Sequence, residues 1–112
     1  MASSAILVGN SQYRFLNELA CCRDDVSAMK ELLEATEKYA AIEVIENVDA
    51  DELKSRMRAA ISGLSDIDEL FFYFTGHGHQ QDDEFYYCAT AFDLKRPNET
   101  GLSTSELHTI LR

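Results

Sequence analysis

The feature that most constrains the fold is the apolar run Leu-Phe-Phe-Tyr-Phe at positions 70–74, which ends in Thr-Gly-His-Gly-His at 75–79. A short apolar run that is bounded by glycine is typical of a strand buried on both faces. A second such run, Ala-Ile-Leu-Val at 5–8, also precedes glycine. Between the two runs, two segments with helical spacing are separated by a β-rich stretch at 42–48. Strands that alternate with helices predict a mainly parallel sheet with helices on both faces.

The remaining elements complete a single doubly wound α/β domain over residues 1–112. We expect the first helix to begin at Asp24 as its cap, and the second to begin at Asp49, with Glu52 at the capping-box position. A third helix should start at the Ser103–Glu106 capping box. Strands are expected at 42–48 and 85–89, with the latter as a fourth strand of the same sheet. The apolar helix positions are Val26, Met29, Leu32 and Leu33, then Leu53, Met57, Ile61 and Leu64, then Leu107, Ile110 and Leu111.

The charge and the cysteine content limit which binding partners and which cellular compartment we expect. Twenty acidic residues stand against ten basic ones, so the net charge is −10. This argues against nucleic acid or an anionic membrane as a partner, since phosphates attract basic surfaces. No apolar run approaches the roughly 20 residues of a membrane helix, and no basic signal-peptide start is present. Three cysteines, two of them adjacent, form a poor disulfide framework. We therefore expect reduced thiols and a cytoplasmic protein.

The topology predicts where chemistry should lie. In a doubly wound sheet, ligands bind at the carboxyl ends of the strands where the winding reverses, here between strands 1 and 3. The loops at 10–25 and 75–79 flank that crevice. His77, between two glycines, is a candidate general base, and the amide of Gly78 could face a developing oxyanion. The alternative is a turn histidine that is bonded to a carbonyl oxygen.

Other reactive side chains have structural alternatives as well. His77 and His79 form a His-x-His pair near the acidic run at 82–84, so a small metal binder is a further hypothesis, although such acidic turns are usually only solvated. We predict no metal site. Cys21 and Cys22 lie before a helix start, where thiolate character can rise, but packing is the commoner role. Cys88 and the tyrosines are expected to pack.

The sequence resembles the caspase-like cysteine peptidases, and most closely their paracaspase and metacaspase branches. Residues 5–13, 19–26 and 70–78 carry the resemblance: a Gly-Asn-x-x-Tyr opening, a Cys-Arg-Asp-Asp segment, and the strand ending in Gly-His-Gly. The resemblance implies that His77 is the catalytic histidine of a Cys-His dyad and that Gly78 donates its N–H in the oxyanion hole. It also implies that Asp25 lines the S1 pocket. An acidic S1 pocket favours Arg or Lys at P1 of a peptide or protein substrate.

The sequence departs from this family at two places. Caspase-type enzymes place the nucleophile about 50 residues after the histidine, whereas 35 residues follow His77 and none beyond Cys88 is cysteine. We expect a large-subunit-like part that ends before its nucleophile, inactive alone and completed by a C-terminal part. Metacaspases carry a long acidic calcium loop where this chain has 82–84, so we predict no cofactor and leave a calcium requirement open.

The alternative function is a non-catalytic adaptor or dimerisation module. An open sheet edge also favours association, including a dimer.

Overall fold

The computed structural model describes residues 2–20, 22–63 and 67–111, without the side chains of residues 2, 23, 67 and 68. Within these ranges the chain forms two small sheets and four helices. No helix of the described ranges has the length and apolar character needed to cross a membrane. In chain order the elements are β1 (Ala2–Gly9), α1 (Cys22–Ala35), β2 (Tyr39–Glu46), α2 (Ala50–Ser62), β3 (Ile67–Thr75), β4 (Gly78–Gln81), β5 (Glu84–Cys88), α3 (Pro97–Thr100), β6 (Gly101–Ser103) and α4 (Thr104–Leu111).

The parallel sheet has the order β2-β1-β3, so the chain winds to one side of β1 and then returns to the other. In its register Leu7 of β1 opposes Val44 and Tyr73. Alternate β1 residues face different helices. Ile6 and Val8 share a core with residues of α2 and α4, whereas Leu7 packs with Val26 of α1. The predicted α/β fold class, with helices on both faces of a parallel sheet, is confirmed.

The predicted fourth strand does not join this parallel sheet. It is β5, the centre of a separate antiparallel sheet with the order β4-β5-β6. The two-residue turn before it places Asp82 and Asp83 at φ of 53° and 64°. A hairpin turn of this type requires two left-handed residues, which aspartate tolerates better than most side chains. The usual Asn-Gly or Asp-Gly signal is missing, so the sequence pattern did not reveal the hairpin.

The helix starts were predicted with mixed success. Asp49 caps α2 as expected, since its Oδ1 accepts the Glu52 N–H at 2.9 Å, and Ser103 Oγ accepts the Glu106 N–H at 3.1 Å before α4. Asp24 is not the cap of α1, because that helix already includes Cys22 and Asp24 lies in its first turn. Leu64, Cys21 and Arg112 lie outside the described residues.

Candidate active site

Asn10 anchors the crevice at the carboxyl ends of the parallel strands. It directly follows β1, is fully buried, and donates its main-chain N–H to Thr75 O at the end of β3. Its Oδ1 accepts the Asn47 N–H at 3.0 Å, and its Nδ2 donates to Cys88 O at 3.1 Å. One buried residue therefore joins the ends of the strands, through its main chain to β3 and through its side chain to the ends of β2 and β5, as the predicted switch point requires.

His77 lies in this crevice and is held by the loop that follows β1. Its Nε2 is 2.8 Å from the main-chain oxygen of Asn17. Because a carbonyl oxygen can only accept, Nε2 must carry a hydrogen, and in the neutral ring Nδ1 keeps its lone pair. His77 is therefore bonded to a carbonyl oxygen, as the alternative prediction of a turn histidine expects. This bond uses Nε2 only and leaves Nδ1 of the neutral ring with its lone pair.

Tyr13, from the same loop, contacts both the ring and the main chain of His77. Its hydroxyl oxygen accepts the His77 N–H at 2.9 Å, and the two rings meet edge to face at 4.7 Å between centroids. Burial is the main cause that raises the pKa of Tyr13, against a smaller lowering by the His77 bond. The phenol therefore stays neutral at physiological pH.

Gly76 makes this contact with Tyr13 sterically feasible. Its φ is +152°, a conformation that residues with a side chain rarely adopt. A Cβ atom at this position would lie 2.6 Å from the Tyr13 hydroxyl oxygen and 2.9 Å from Asn10 O. The glycine before His77 is therefore required both by backbone conformation and by space.

The register of the hairpin gives the direction of the Gly78 N–H. Cys88 donates its N–H to His77 O at 3.0 Å, so residues 77 and 88 continue the β4–β5 ladder by one hydrogen-bonded position beyond Gly78. Bonded and non-bonded pairs alternate in an antiparallel ladder, so Gly78, opposite Tyr87, directs its N–H away from β5. Gly78 is exposed, and β4 is the outer strand of this sheet as far as the structure describes it. The amide can therefore reach a ligand in the crevice.

Phe85 explains why the residue after His77 is also glycine. A Cβ atom on Gly78 would lie 2.3 Å from Cζ of Phe85, whose ring crosses from β5 onto β4. The ring therefore packs directly on the glycine backbone. A side chain at position 78 would displace either the ring or the peptide whose N–H points away from β5.

Asp25 reaches the same crevice from α1. It lies in the first turn of that helix, where the helix dipole favours a carboxylate. Its side chain is exposed, and its Oδ2 accepts the Thr75 hydroxyl at 3.1 Å. Thr75 is the last residue of β3 and stands two positions before His77. The structure therefore brings all three predicted site residues, Asp25, His77 and Gly78, to the end of β3.

The cysteines that the structure describes are not placed as nucleophiles. Cys88 is 1% exposed on β5, and burial raises the pKa of its thiol to about 12. Its main-chain N–H and carbonyl are both bonded, to His77 and to Asn10. Cys22 is 1% exposed at the start of α1. The prediction that Cys88 belongs to the core is confirmed.

His79 does not combine with His77 as a ligand pair. Its Nε2 lies 3.0 Å from Gln81 Oε1, and its ring packs on Phe92 at 5.6 Å between centroids. Within residues 2–20, 22–63 and 67–111 no group of three or more His, Cys, Asp or Glu side chains could hold a metal ion. The two histidines thus make different contacts, His77 with Asn17 O and His79 with Gln81.

Two contributors to the site were missed by the sequence reasoning. Tyr13 was interpreted as a packing residue, and although it does pack beside Tyr86 and Phe92, its hydroxyl also bonds His77. Its place in the Gly-Asn-x-x-Tyr segment was the available signal. Asn17 contributes a main-chain oxygen, for which no side-chain pattern exists.

The fold and the crevice together define an α/β protein with a histidine, an outward amide and a carboxylate at the carboxyl ends of its parallel strands. A family model described as the caspase domain, peptidase C14, matches residues 2–111. That match spans nearly the whole chain, so the chain belongs to the caspase-domain family of cysteine peptidases. No curated protein matches the chain.

Proposed function

We propose that the chain is the histidine-bearing part of a cysteine endopeptidase of the paracaspase or metacaspase type, with a preference for Arg or Lys at P1. The observation that carries the proposal is the 2.8 Å contact between His77 Nε2 and Asn17 O. That contact supports the proposal because, with the hydrogen on Nε2, Nδ1 of the neutral ring has the lone pair that a general base needs.

The thiol comes from a cysteine other than Cys22 and Cys88, both of which are buried. His77 Nδ1 takes the thiol proton, and the thiolate sulfur forms a bond to the scissile carbonyl carbon as the carbonyl π electrons move to oxygen. The outward N–H of Gly78 donates to that oxyanion. The C–N bond then breaks, the imidazolium returns its proton to the leaving nitrogen, and water hydrolyses the thioester with His77 again as the base.

Asp25 supplies the proposed preference at P1. Its exposed carboxylate is fixed by Thr75 through one oxygen, which leaves the other for a cationic side chain. A guanidinium or ammonium group gains a charge-assisted bond there, whereas an aspartate side chain at P1 meets a like charge.

The test is peptide cleavage by the full-length protein. We expect cleavage of fluorogenic peptides with Arg or Lys at P1 and not with Asp. The His77→Ala variant should lower kcat/KM by about 10²- to 10⁴-fold, the usual contribution of a general base. His79→Ala is the matched control and should keep its activity.

Equal cleavage by the wild-type protein and the His77→Ala variant overturns the proposal. The outcome that supports the alternative has two parts: the wild-type protein cleaves none of the peptides, and its binding to another protein or to a second copy of itself is the same in His77→Ala. The chain is then the non-catalytic adaptor or dimerisation module.

A further inference from the structure

One hydrogen bond of the β4–β5 ladder is replaced by two side chains from the segment after β1. A regular antiparallel pair exchanges two N–H···O bonds, so His77 and Cys88 should each donate to the other. Here Cys88 does donate its N–H to His77 O, at 3.0 Å. The return bond is absent, since the His77 N–H goes to the Tyr13 hydroxyl at 2.9 Å and Cys88 O receives Asn10 Nδ2 at 3.1 Å.

We propose that Asn10 and Tyr13 are positioning residues that hold this ladder pair half open and thereby aim His77 at the substrate. The inference rests on the proposed peptidase function. Asn10 and the Tyr13 hydroxyl act through the main chain around His77. The Tyr13 ring also packs against the His77 ring, and this contact is kept in Tyr13→Phe.

The missing ladder bond is replaced by two others, because its donor, the His77 N–H, and its acceptor, Cys88 O, each have another partner. The side chain of Asn10 is completely buried and bonded at both ends, so it presents Nδ2 to Cys88 O in a fixed direction. The ring of Tyr13 is fixed in turn by packing against the cluster of Tyr86, Cys88 and Phe92. Since both the His77 N–H and Cys88 O remain hydrogen-bonded, the loss of the ladder bond costs little free energy.

The opened pair matters for the direction of His77. The Tyr13 hydroxyl holds the peptide that precedes the His77 side chain. A closed pair would turn the His77 N–H towards β5 and rotate the ring with it, whereas the Gly78 peptide stays held by the bond from Cys88 N–H to His77 O. Gly76 is the matching feature, because its missing Cβ leaves the space that the Tyr13 hydroxyl occupies. Displacement of a catalytic group by about 1 Å can cost about 10²-fold in rate.

The test is Tyr13→Phe in the full-length protein, with Tyr86→Phe as the matched control. Both substitutions remove one hydroxyl from the same packed cluster, but the Tyr86 hydroxyl donates to Asn98 Oδ1 and not to His77. We expect Tyr13→Phe to lower kcat about 10- to 100-fold with KM within about twofold. Tyr86→Phe should leave kcat unchanged. The amide signal of His77 should shift in nuclear magnetic resonance spectra of Tyr13→Phe alone, and this amide should exchange faster.

The outcomes separate this inference from the proposed function. A Tyr13→Phe protein with wild-type kcat and a wild-type amide signal for His77 overturns the positioning role, even where His77→Ala abolishes cleavage. If His77→Ala still cleaves, the proposed function fails, and the His77 amide signal alone decides the role of Tyr13. Should Tyr13→Phe not fold, 4-fluorophenylalanine at position 13 keeps the shape of the ring substituent but accepts hydrogen bonds poorly, and the same losses are expected.

Discussion

His77 Nε2 lies 2.8 Å from the main-chain oxygen of Asn17, so the tautomer of the candidate base is determined by a backbone group rather than by a side chain. We predict that ¹⁵N spectra of the neutral ring show the hydrogen on Nε2. Asn17→Ala should keep kcat/KM within about twofold, because the acceptor belongs to the main chain. A ring protonated on Nδ1, or a large loss of activity in Asn17→Ala, would contradict this assignment.

Asp25 should govern selection at P1. Asp25→Asn removes the charge but keeps the shape, so the bond to a cationic side chain loses about 1.5–3 kcal/mol, or roughly 10- to 150-fold in kcat/KM for Arg-P1 peptides. Cleavage of peptides that carry a neutral P1 residue should change little.

Asp24→Asn is the matched control for this prediction. Asp24 stands beside Asp25 in the first turn of α1 and is equally exposed, but Asp25 makes the bond to Thr75. If both variants lose the same activity, the effect reflects general surface charge and Asp25 does not select the substrate.

The parallel sheet was predictable from the sequence, whereas the antiparallel one was not. Strands β1 and β3 contain the continuous apolar runs at 5–8 and 70–74, which only a sheet covered on both faces can bury. Strand β4 is Gly-His-Gln-Gln, which lacks both apolar alternation and β-branched residues, and β6 is three residues long. Both depend on pairing with β5, so their strand conformation arises from tertiary contacts rather than from local preference.

Part of the candidate site could likewise be predicted from the sequence, and part could not. Asp25, His77 and Gly78 could be named because their side chains, or the lack of one, form a motif. The tautomer of His77 could not be predicted, since it depends on a carbonyl brought close by a loop. The half-open ladder pair was equally hidden, because it arises where Asn10 and Tyr13 meet a hairpin that the sequence pattern did not reveal.

Gly76 should not tolerate a side chain. Gly76→Ala places a methyl group 2.6 Å from the Tyr13 hydroxyl oxygen, at a φ of +152°. Strain of this kind costs about 1–3 kcal/mol, so we predict a lower midpoint in urea unfolding together with lost peptidase activity.

Gly63→Ala provides the comparison for Gly76→Ala. Gly63 follows α2 at φ −80°, and among the residues that the structure describes the nearest atom to its added Cβ is Ala59 O, 3.6 Å away. Alanine fits there and restricts the unfolded chain, so stability should rise by about 0.4–1 kcal/mol. Equal losses in the two variants would show that glycine is not specifically needed before His77.

Cys88 should be unreactive in the folded chain. Its pKa of about 12 leaves roughly one thiol in 10⁴ ionised at pH 8, and the thiolate is the reactive form. Iodoacetamide at pH 8 should therefore spare Cys88 until denaturant is added, as mass spectrometry of peptides would show. Cys88→Ala should retain peptidase activity, and its loss in a folded variant would point to Cys88 as a participant in the reaction.

Glu84 should make stability depend on pH. It connects β5 to α4, where its carboxylate accepts the Ser105 N–H at 3.0 Å and the Ser105 hydroxyl at 2.8 Å. These bonds lower the pKa of Glu84 in the folded chain, with the main-chain bond as the larger cause. Since the folded pKa lies below the unfolded value of about 4.3, the stabilisation is complete above that value and is lost as the pH falls through the folded pKa. Glu84→Gln should therefore lower Tm at pH 7, and the difference in Tm from wild type should disappear in acid.

Glu34→Gln is the control for Glu84→Gln, because it alters an exposed carboxylate on α1, and it should show no such difference in Tm. A difference for Glu84→Gln that persists at pH 2.5 would rule out the ionised carboxylate as its cause.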